Sequence, residues 1–104
     1  MTCTRDTGIL NMINKFKDKE TEKVFNQEYS KAFPQEIQKG ALRKLIMMDA
    51  AESLNDLRVP PGNKLELLSG DRKEQYSIRI NDKYRICFVE SNGDFFDVEI
   101  VDYH

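Results

Sequence analysis

Three segments in the last third of the chain leave little freedom in how it can fold. They are Tyr76–Ile80 (YSIRI), Lys83–Val89 (KYRICFV) and Phe95–His104 (FFDVEIVDYH). Each alternates apolar and polar residues over strand length, and short polar breaks separate them, which is the pattern of antiparallel hairpins. A turn over Asn81, Asp82 and Lys83 sets Ile80 against Tyr84, Ile78 against Ile86 and Tyr76 against Phe88, all apolar. The same register places Arg79 opposite Arg85 and Ser77 opposite Cys87 on the other face. A second hairpin turning through Glu90 to Asp94, with Asn-Gly inside it, pairs Phe88 with Phe96, Ile86 with Val98 and Tyr84 with Ile100. The outcome is a three-stranded sheet with one apolar face and one face carrying Arg79, Arg85 and Glu99 in a row.

Side-by-side arginines repel unless an anion lies between them. The row is therefore a candidate phosphate site with Glu99 as counter-charge; the plainer alternative is a solvated face on which Glu99 neutralises Arg85. Overall charge gives no general pull toward polyanions, since 16 basic and 18 acidic residues leave a net charge of -2. Distribution says more. From Lys64 to Phe88 there are six basic residues (Lys64, Arg72, Lys73, Arg79, Lys83, Arg85) against four acidic, whereas Val89–His104 holds five acidic residues and no basic one. A local basic patch is compatible with an acidic protein.

With 104 residues, 39% of them hydrophobic, the chain suits one domain with one core. Met1–Asn11 is polar and patternless, as a flexible extension would be. Ile13–Phe16 alternates as a short first strand. Asp18 can cap a helix running to about Tyr29, with Val24 and Phe25 facing inward. Pro34 opens a second helix, on which Ile37, Ala41, Leu45, Met48 and Ala51, joined by Leu42 and Ile46, form the buried stripe. Lys39, Arg43 and Lys44 lie on its other face, a solvated surface or one suited to an acidic partner. Leu54 and Leu57 extend the pattern until Arg58-Val59-Pro60-Pro61-Gly62-Asn63 breaks it, and Lys64–Leu68 reads as a strand with Leu65 and Leu67 on one side. The order β-α-α-β-β-β-β implies an α+β domain over residues 12–104, with two helices packed on one face of a mainly antiparallel sheet. Two distant cysteines, Cys3 and Cys87, and a single histidine, His104, suggest neither a disulfide framework nor a metal cluster, so a reducing, cytoplasmic setting without cofactor is expected. No apolar run suggests a signal peptide or membrane span.

PPGNKLELLSGDR, then YSIRINDKYRICF, then VEIVDYH, preceded by Met12-Ile13-Asn14-Lys15-Phe16-Lys17, resembles the HigB group of host-inhibiting toxins in the RelE/ParE superfamily. The resemblance covers all but the first eleven residues. It implies a ribosome-dependent mRNA endonuclease of a type II toxin–antitoxin module, neutralised in a hetero-oligomeric complex by a HigA-type helix-turn-helix antitoxin. Such enzymes cleave RNA without metal, through attack of a ribose 2′-hydroxyl on the adjacent phosphate. That chemistry needs a base, cations for the charge developing on phosphorus, and an acid for the leaving 5′-oxygen.

Carried onto this chain, the resemblance makes Arg85 and Arg79 phosphate clamps and Arg72 a third cation, with Lys64, Lys73 and Lys83 available to the RNA backbone. His104, with Asp102 or Tyr103, is the proton-transfer group. Some HigB members carry a histidine and a lysine where this chain has Glu66 and Ser69, which leaves Glu66 as a candidate base. A ParE-like inhibitor of DNA gyrase, or a module that only binds its antitoxin, would use the same fold without acid–base residues. Because residues 1–11 are mostly polar and lie outside the resemblance, their deletion should leave the melting temperature and growth inhibition unchanged; thermal unfolding and induced expression of the truncated chain check this.

Overall fold

A computed structural model of the chain describes residues 13–51, 53–68, 70 and 74–102. The polar N-terminal stretch expected to be a flexible extension lies outside them. Helix α1 (Lys19–Phe25) opens on Asp18, whose carboxylate accepts the Thr21 N–H at 3.0 Å. It stops four residues short of the expected Tyr29. Gln27 adopts a left-handed backbone (φ 66), and the Glu28 and Gln27 N–H groups fold back on the Lys23 and Val24 carbonyls, the six-to-one and five-to-two closure that ends a helix. Ser30 and Gln38 then fasten the loop, with Gln38 donating to the Ser30 and Phe33 carbonyls.

Helix α2 (Gln35–Ala50) begins directly after Pro34 and buries Ile37, Ala41, Leu45 and Met48. Ile46, expected on this stripe, is half exposed instead, because the helix rolls Leu45 and Met48 onto the sheet and leaves position 46 at its outer edge. No helix among the described residues is long and apolar enough to cross a membrane. Two 3-10 turns follow, Leu54–Arg58 and Pro61–Asn63.

The sheet contains β1 (Glu66–Leu67), β2 (Tyr76–Arg79), β3 (Tyr84–Ser91) and β4 (Asp94–Asp102), each antiparallel to its neighbours in the order β1-β2-β3-β4. The fold is α+β, with both helices against the apolar face formed by Ile78, Ile86, Phe88, Phe95, Val98 and Ile100. β1 is shorter than the Lys64–Leu68 strand expected from alternation. Lys64 is left-handed (φ 48) and cannot extend the ladder, so Leu65 is only half buried, Leu67 is exposed and Leu68 is buried. The first hairpin has the expected register from Tyr76↔Phe88 to Arg79↔Arg85. Its turn is held by Asn81, whose side-chain oxygen accepts the N–H groups of Lys83 and Tyr84.

The second hairpin departs from expectation. It turns on Asn92 and Gly93 alone, both at positive φ (54 and 88), with Ser91 paired to Asp94. That two-residue turn matches the twist of the strands. Continued without interruption, it would set Asp97 against Phe88 in the core. A bulge prevents this: Asp97 turns left-handed (φ 52), and Asp97 and Val98 together face Phe88, between the Val89↔Phe96 and Cys87↔Glu99 pairs. Phe95, Val98 and Ile100 therefore all enter the core, and Phe96, expected inside, is only partly buried. Beyond the bulge Ile86 pairs with Ile100 and Tyr84 with Asp102, two residues from the expected Ile86–Val98 and Tyr84–Ile100 pairs.

The expected first strand is present as two parallel bridges to β4, Ile13↔Phe95 and Phe16↔Val98. Backbone bonds from Asn14 N to Phe95 O (2.8 Å) and Lys17 N to Val98 O (2.9 Å) hold it there. Farther along the same edge Thr21, fully buried on α1, accepts the Ile100 N–H on its hydroxyl at 3.0 Å. The edge of β4 is thus covered rather than left open to another strand.

The bulge predicts an inequality between adjacent phenylalanines. Phe95→Ala should cost about 3–5 kcal/mol, the range for emptying a fully buried aromatic site, while Phe96→Ala should cost less than half as much. Urea unfolding of the two variants measures both, and equal losses would contradict the bulged register.

Candidate active site

On the face turned away from the helices, pairing aligns Glu66, Ser77, Cys87 and Glu99 in one row across all four strands, with Arg79, Arg85 and Val101 in the next. Ser77 and Cys87 are fully buried and Arg85 is 8% exposed, so this part of the face is a sunken floor. Arg85 leans toward β1. Its Nε donates to Ser77 Oγ at 2.8 Å, and one terminal nitrogen both donates to the Lys64 carbonyl at 2.8 Å and lies 3.0 Å from Glu66 Oε1. The left-handed backbone at Lys64, closing the turn over Pro61–Asn63, presents that carbonyl. Glu66 itself is open to solvent, its side chain 51% exposed. A buried guanidinium and an accessible carboxylate therefore share one corner of the sheet.

The counter-charge is Glu66, not Glu99. The bulge in β4 moves Val101 opposite Arg85 and Glu99 opposite Cys87, where Glu99 lies 3.6 Å from Lys17 Nζ. The expected repulsion between the facing arginines is relieved by separate partners: Arg79 bonds Asp82 in the hairpin turn while Arg85 turns to Glu66 and Ser77. Lys83 Nζ is 3.8 Å from Asp102, and the register places Asp102 in phase with Ile100 and Tyr84, on the helix side of β4. The structure thus brings together Glu66, Arg85 and the Lys64 backbone, keeps Arg79 adjacent, and leaves Lys83 and Asp102 apart from them. Arg72, Lys73, Tyr103 and His104 lie outside the described residues.

Two residues not singled out in the sequence support the corner. Ser77 alternates correctly for the outer face, but only the register shows that it receives Arg85 Nε. Asn63, in a turn that reads simply as a helix breaker, is fully buried and donates its amide to the Leu57 carbonyl at 3.1 Å and to Met47 Sδ at 3.2 Å. Its side-chain oxygen accepts from Lys44 Nζ. Burial, and then the charges of Arg43 and Arg79, hold the Lys44 ammonium below the usual lysine range. Lys44, expected on a solvated face, is in fact half buried.

Chemically, the corner offers an oriented carboxylate that can accept a proton and a guanidinium whose charge is little screened by water.

The description "RelE-like toxin of type II toxin-antitoxin system HigB" belongs to a family model that matches residues 14–104. The chain is 41% identical over 83 residues to Toxin HigB-1 of Vibrio cholerae serotype O1, which covers 79% of this chain and 87% of that protein. It is 30% identical over 93 residues to Endoribonuclease HigB of Proteus vulgaris, covering 89% of this chain and all of that one. An uncharacterized protein of Haemophilus influenzae is 44% identical over 61 residues, 59% of this chain and 60% of the relative.

Ser77→Ala should destabilise the protein by about 1–3 kcal/mol, the cost of leaving a buried donor without its acceptor. Ser77→Thr, which keeps the hydroxyl on a strand, should recover most of that loss. Chemical denaturation of the pair checks it, and an unchanged midpoint for Ser77→Ala would mean that Arg85 does not depend on this bond.

Proposed function

The chain belongs to the RelE-like HigB toxins of type II toxin–antitoxin systems, and on that premise we propose that it is an endoribonuclease that cuts mRNA on the ribosome without a metal. The observation that carries this reading is the corner in which Glu66 Oε1 lies 3.0 Å from the buried Arg85 guanidinium while Glu66 stays open to solvent. The name Endoribonuclease HigB, carried by the Proteus vulgaris relative, supports the same activity. The family implies an antitoxin partner, which we take to be a HigA-type helix-turn-helix protein forming a hetero-oligomeric complex with the toxin.

In the reaction, Glu66 takes the proton of a ribose 2′-hydroxyl as that oxygen bonds phosphorus. The bond from phosphorus to the 5′-oxygen breaks, leaving a 2′,3′-cyclic phosphate and a free 5′-hydroxyl. Arg85 serves twice, holding the Glu66 carboxylate in place and supplying positive charge to the phosphate oxygens as charge accumulates. Arg79, on the neighbouring strand, is the second phosphate contact. Lys64 attracts the flanking backbone, together with Arg72 and Lys73. His104, assisted by Tyr103, returns a proton to the 5′-oxygen; Asp102, on the helix side of β4, takes no part.

Arg85 is too deeply bonded for its truncation to report on chemistry alone. Glu66, being exposed, separates the two effects. Glu66→Gln, which keeps an oxygen acceptor for Arg85 and loses the charge of a half-exposed carboxylate, should cost no more than about 1 kcal/mol of stability and cleave mRNA on purified ribosomes about a hundredfold or more slowly, the usual contribution of one acid–base group. Arg85→Lys, which keeps the charge but loses the fork, should also slow cleavage severely. Wild-type rates for Glu66→Gln would remove it as the base. Intact mRNA with inhibited DNA supercoiling would replace the nuclease by a gyrase inhibitor.

The acid is tested apart. His104→Ala should lower the cleavage rate by about a hundredfold with antitoxin affinity unchanged. A wild-type rate would pass the role to Tyr103.

A further inference from the structure

The segment from Arg58 to Lys64 has little of its own to hold it in place. Pro60 and Pro61 have no N–H to donate. The turn over Pro61–Asn63 closes on backbone bonds from Asn63 to the Pro60 carbonyl and from Lys64 to the Pro61 carbonyl, both 3.0 Å. Among the described residues 58–64, Asn63 alone is buried and the other six are exposed. Anchoring therefore falls on its side chain, which is bonded at both ends. Its amide nitrogen donates to the Leu57 carbonyl and to Met47 Sδ, and its oxygen accepts from Lys44 Nζ on α2. An apolar side chain would be buried there at less cost. A buried amide with three directed partners instead fixes one position of the turn against the helix layer.

That position is felt at Arg85. Lys64, the residue after Asn63, is left-handed and gives its carbonyl to Arg85 Nη2 at 2.8 Å. The same nitrogen lies 3.0 Å from Oε1 of Glu66, only two residues farther on. β1 pairs with β2 through Glu66 and Leu67, so the ladder gives this carboxylate a short hold and the anchored turn supplies the other. We propose that Asn63 and Lys44 are positioning residues for RNA cleavage, which from the helix layer set the Lys64 carbonyl and, through it, Arg85 against Glu66. The inference rests on the reading of that corner as the nuclease site. It goes beyond that reading by giving α2 a part in the reaction without contact with RNA. A displacement of about 1 Å, even one that originates far from the chemistry, is enough to lower a rate about a hundredfold.

Because Asn63→Ala would empty a buried site, the test is made at Lys44, in the full chain. Lys44→Met keeps an unbranched stem and leaves the Asn63 oxygen without its donor; Lys44→Arg restores a donor. On purified ribosomes Lys44→Met should lower kcat for messenger cleavage by about ten- to a hundredfold with KM unchanged, and Lys44→Arg should recover most of the loss. In a Glu66→Gln background Lys44→Met should cost nothing further, since groups that act as a unit are not additive. The Arg85 Nε–H resonance gives a readout independent of cleavage: it should shift in Lys44→Met and return in Lys44→Arg. An unmoved resonance with wild-type kcat would overturn the positioning role. So would a raised KM at unchanged kcat, which marks a cation that binds RNA directly, and so would a full further loss in the Glu66→Gln background, which marks a support of the fold alone. If Glu66→Gln itself cleaves at the wild-type rate while the Arg85 resonance still follows Lys44, the reading of Glu66 as base fails and the hold on Arg85 stands.

Discussion

A guanidinium buried in a sheet has to be answered on every side, and much of this structure is the answer to Arg85. An unpartnered buried charge would cost several kcal/mol. Arg85 is only 8% exposed, and its neighbours meet the demand with a hydroxyl from β2, a backbone carbonyl from the turn before β1, and a carboxylate from β1 itself. Each answer constrains something else. The hydroxyl requires a small polar residue at position 77, opposite Cys87. The carbonyl requires a left-handed residue at 64, which in turn shortens β1 to two residues. The carboxylate leaves Glu66 oriented yet accessible, which is the state a proton acceptor needs. Stability and the proposed chemistry therefore draw on the same set of bonds.

The sheet shows where alternation suffices as a guide and where it fails. Between β2 and β3 the apolar residues alternate without error and Asn81 supplies a side-chain bond for the turn, so one register satisfies both faces. In β4 the run Phe95-Phe96-Asp97-Val98-Glu99-Ile100 offers two phases, and continuous alternation selects Phe96, Val98 and Ile100. The two-residue turn at Asn92-Gly93 selects Phe95, and a bulge at Asp97 reconciles it with Val98 and Ile100. Nothing in the local pattern marks Asp97 as left-handed, although an aspartate tolerates that conformation better than a branched residue would. The error carries directly into the site, since it exchanged Glu99 for Val101 beside Arg85.

Residue types in the site were legible, and their partnerships were not. Arg79, Arg85 and Glu66 stand out in the sequence as charges on strands with a common outward phase. That Glu66 meets Arg85 depends on the Glu66↔Ser77 pairing, which crosses a turn containing residues with no periodic signal. Lys44 shows the same limit. Helical spacing places it on the outer side of α2, but the buried Asn63 that draws it inward comes from a Pro-Pro-Gly-Asn segment nineteen residues later, readable only as a break. Long-range hydrogen bonds of this kind leave no trace in periodicity.

The covering of β4 by Ile13–Lys17 and Thr21 has a consequence for the order in which the protein becomes itself. Thr21 meets the Ile100 N–H across 79 positions of chain, and Ile13 lies against Phe95. Until synthesis has passed residue 100, the first apolar residues and the buried hydroxyl of α1 have no sheet edge to receive them, so local helix formation alone cannot complete the core. Folding is therefore a late event, closed by the last strand of the described sheet. For a protein proposed to act on the translating ribosome, the corner around Arg85, which needs β3 held between its neighbours, takes shape only when β4 has been made.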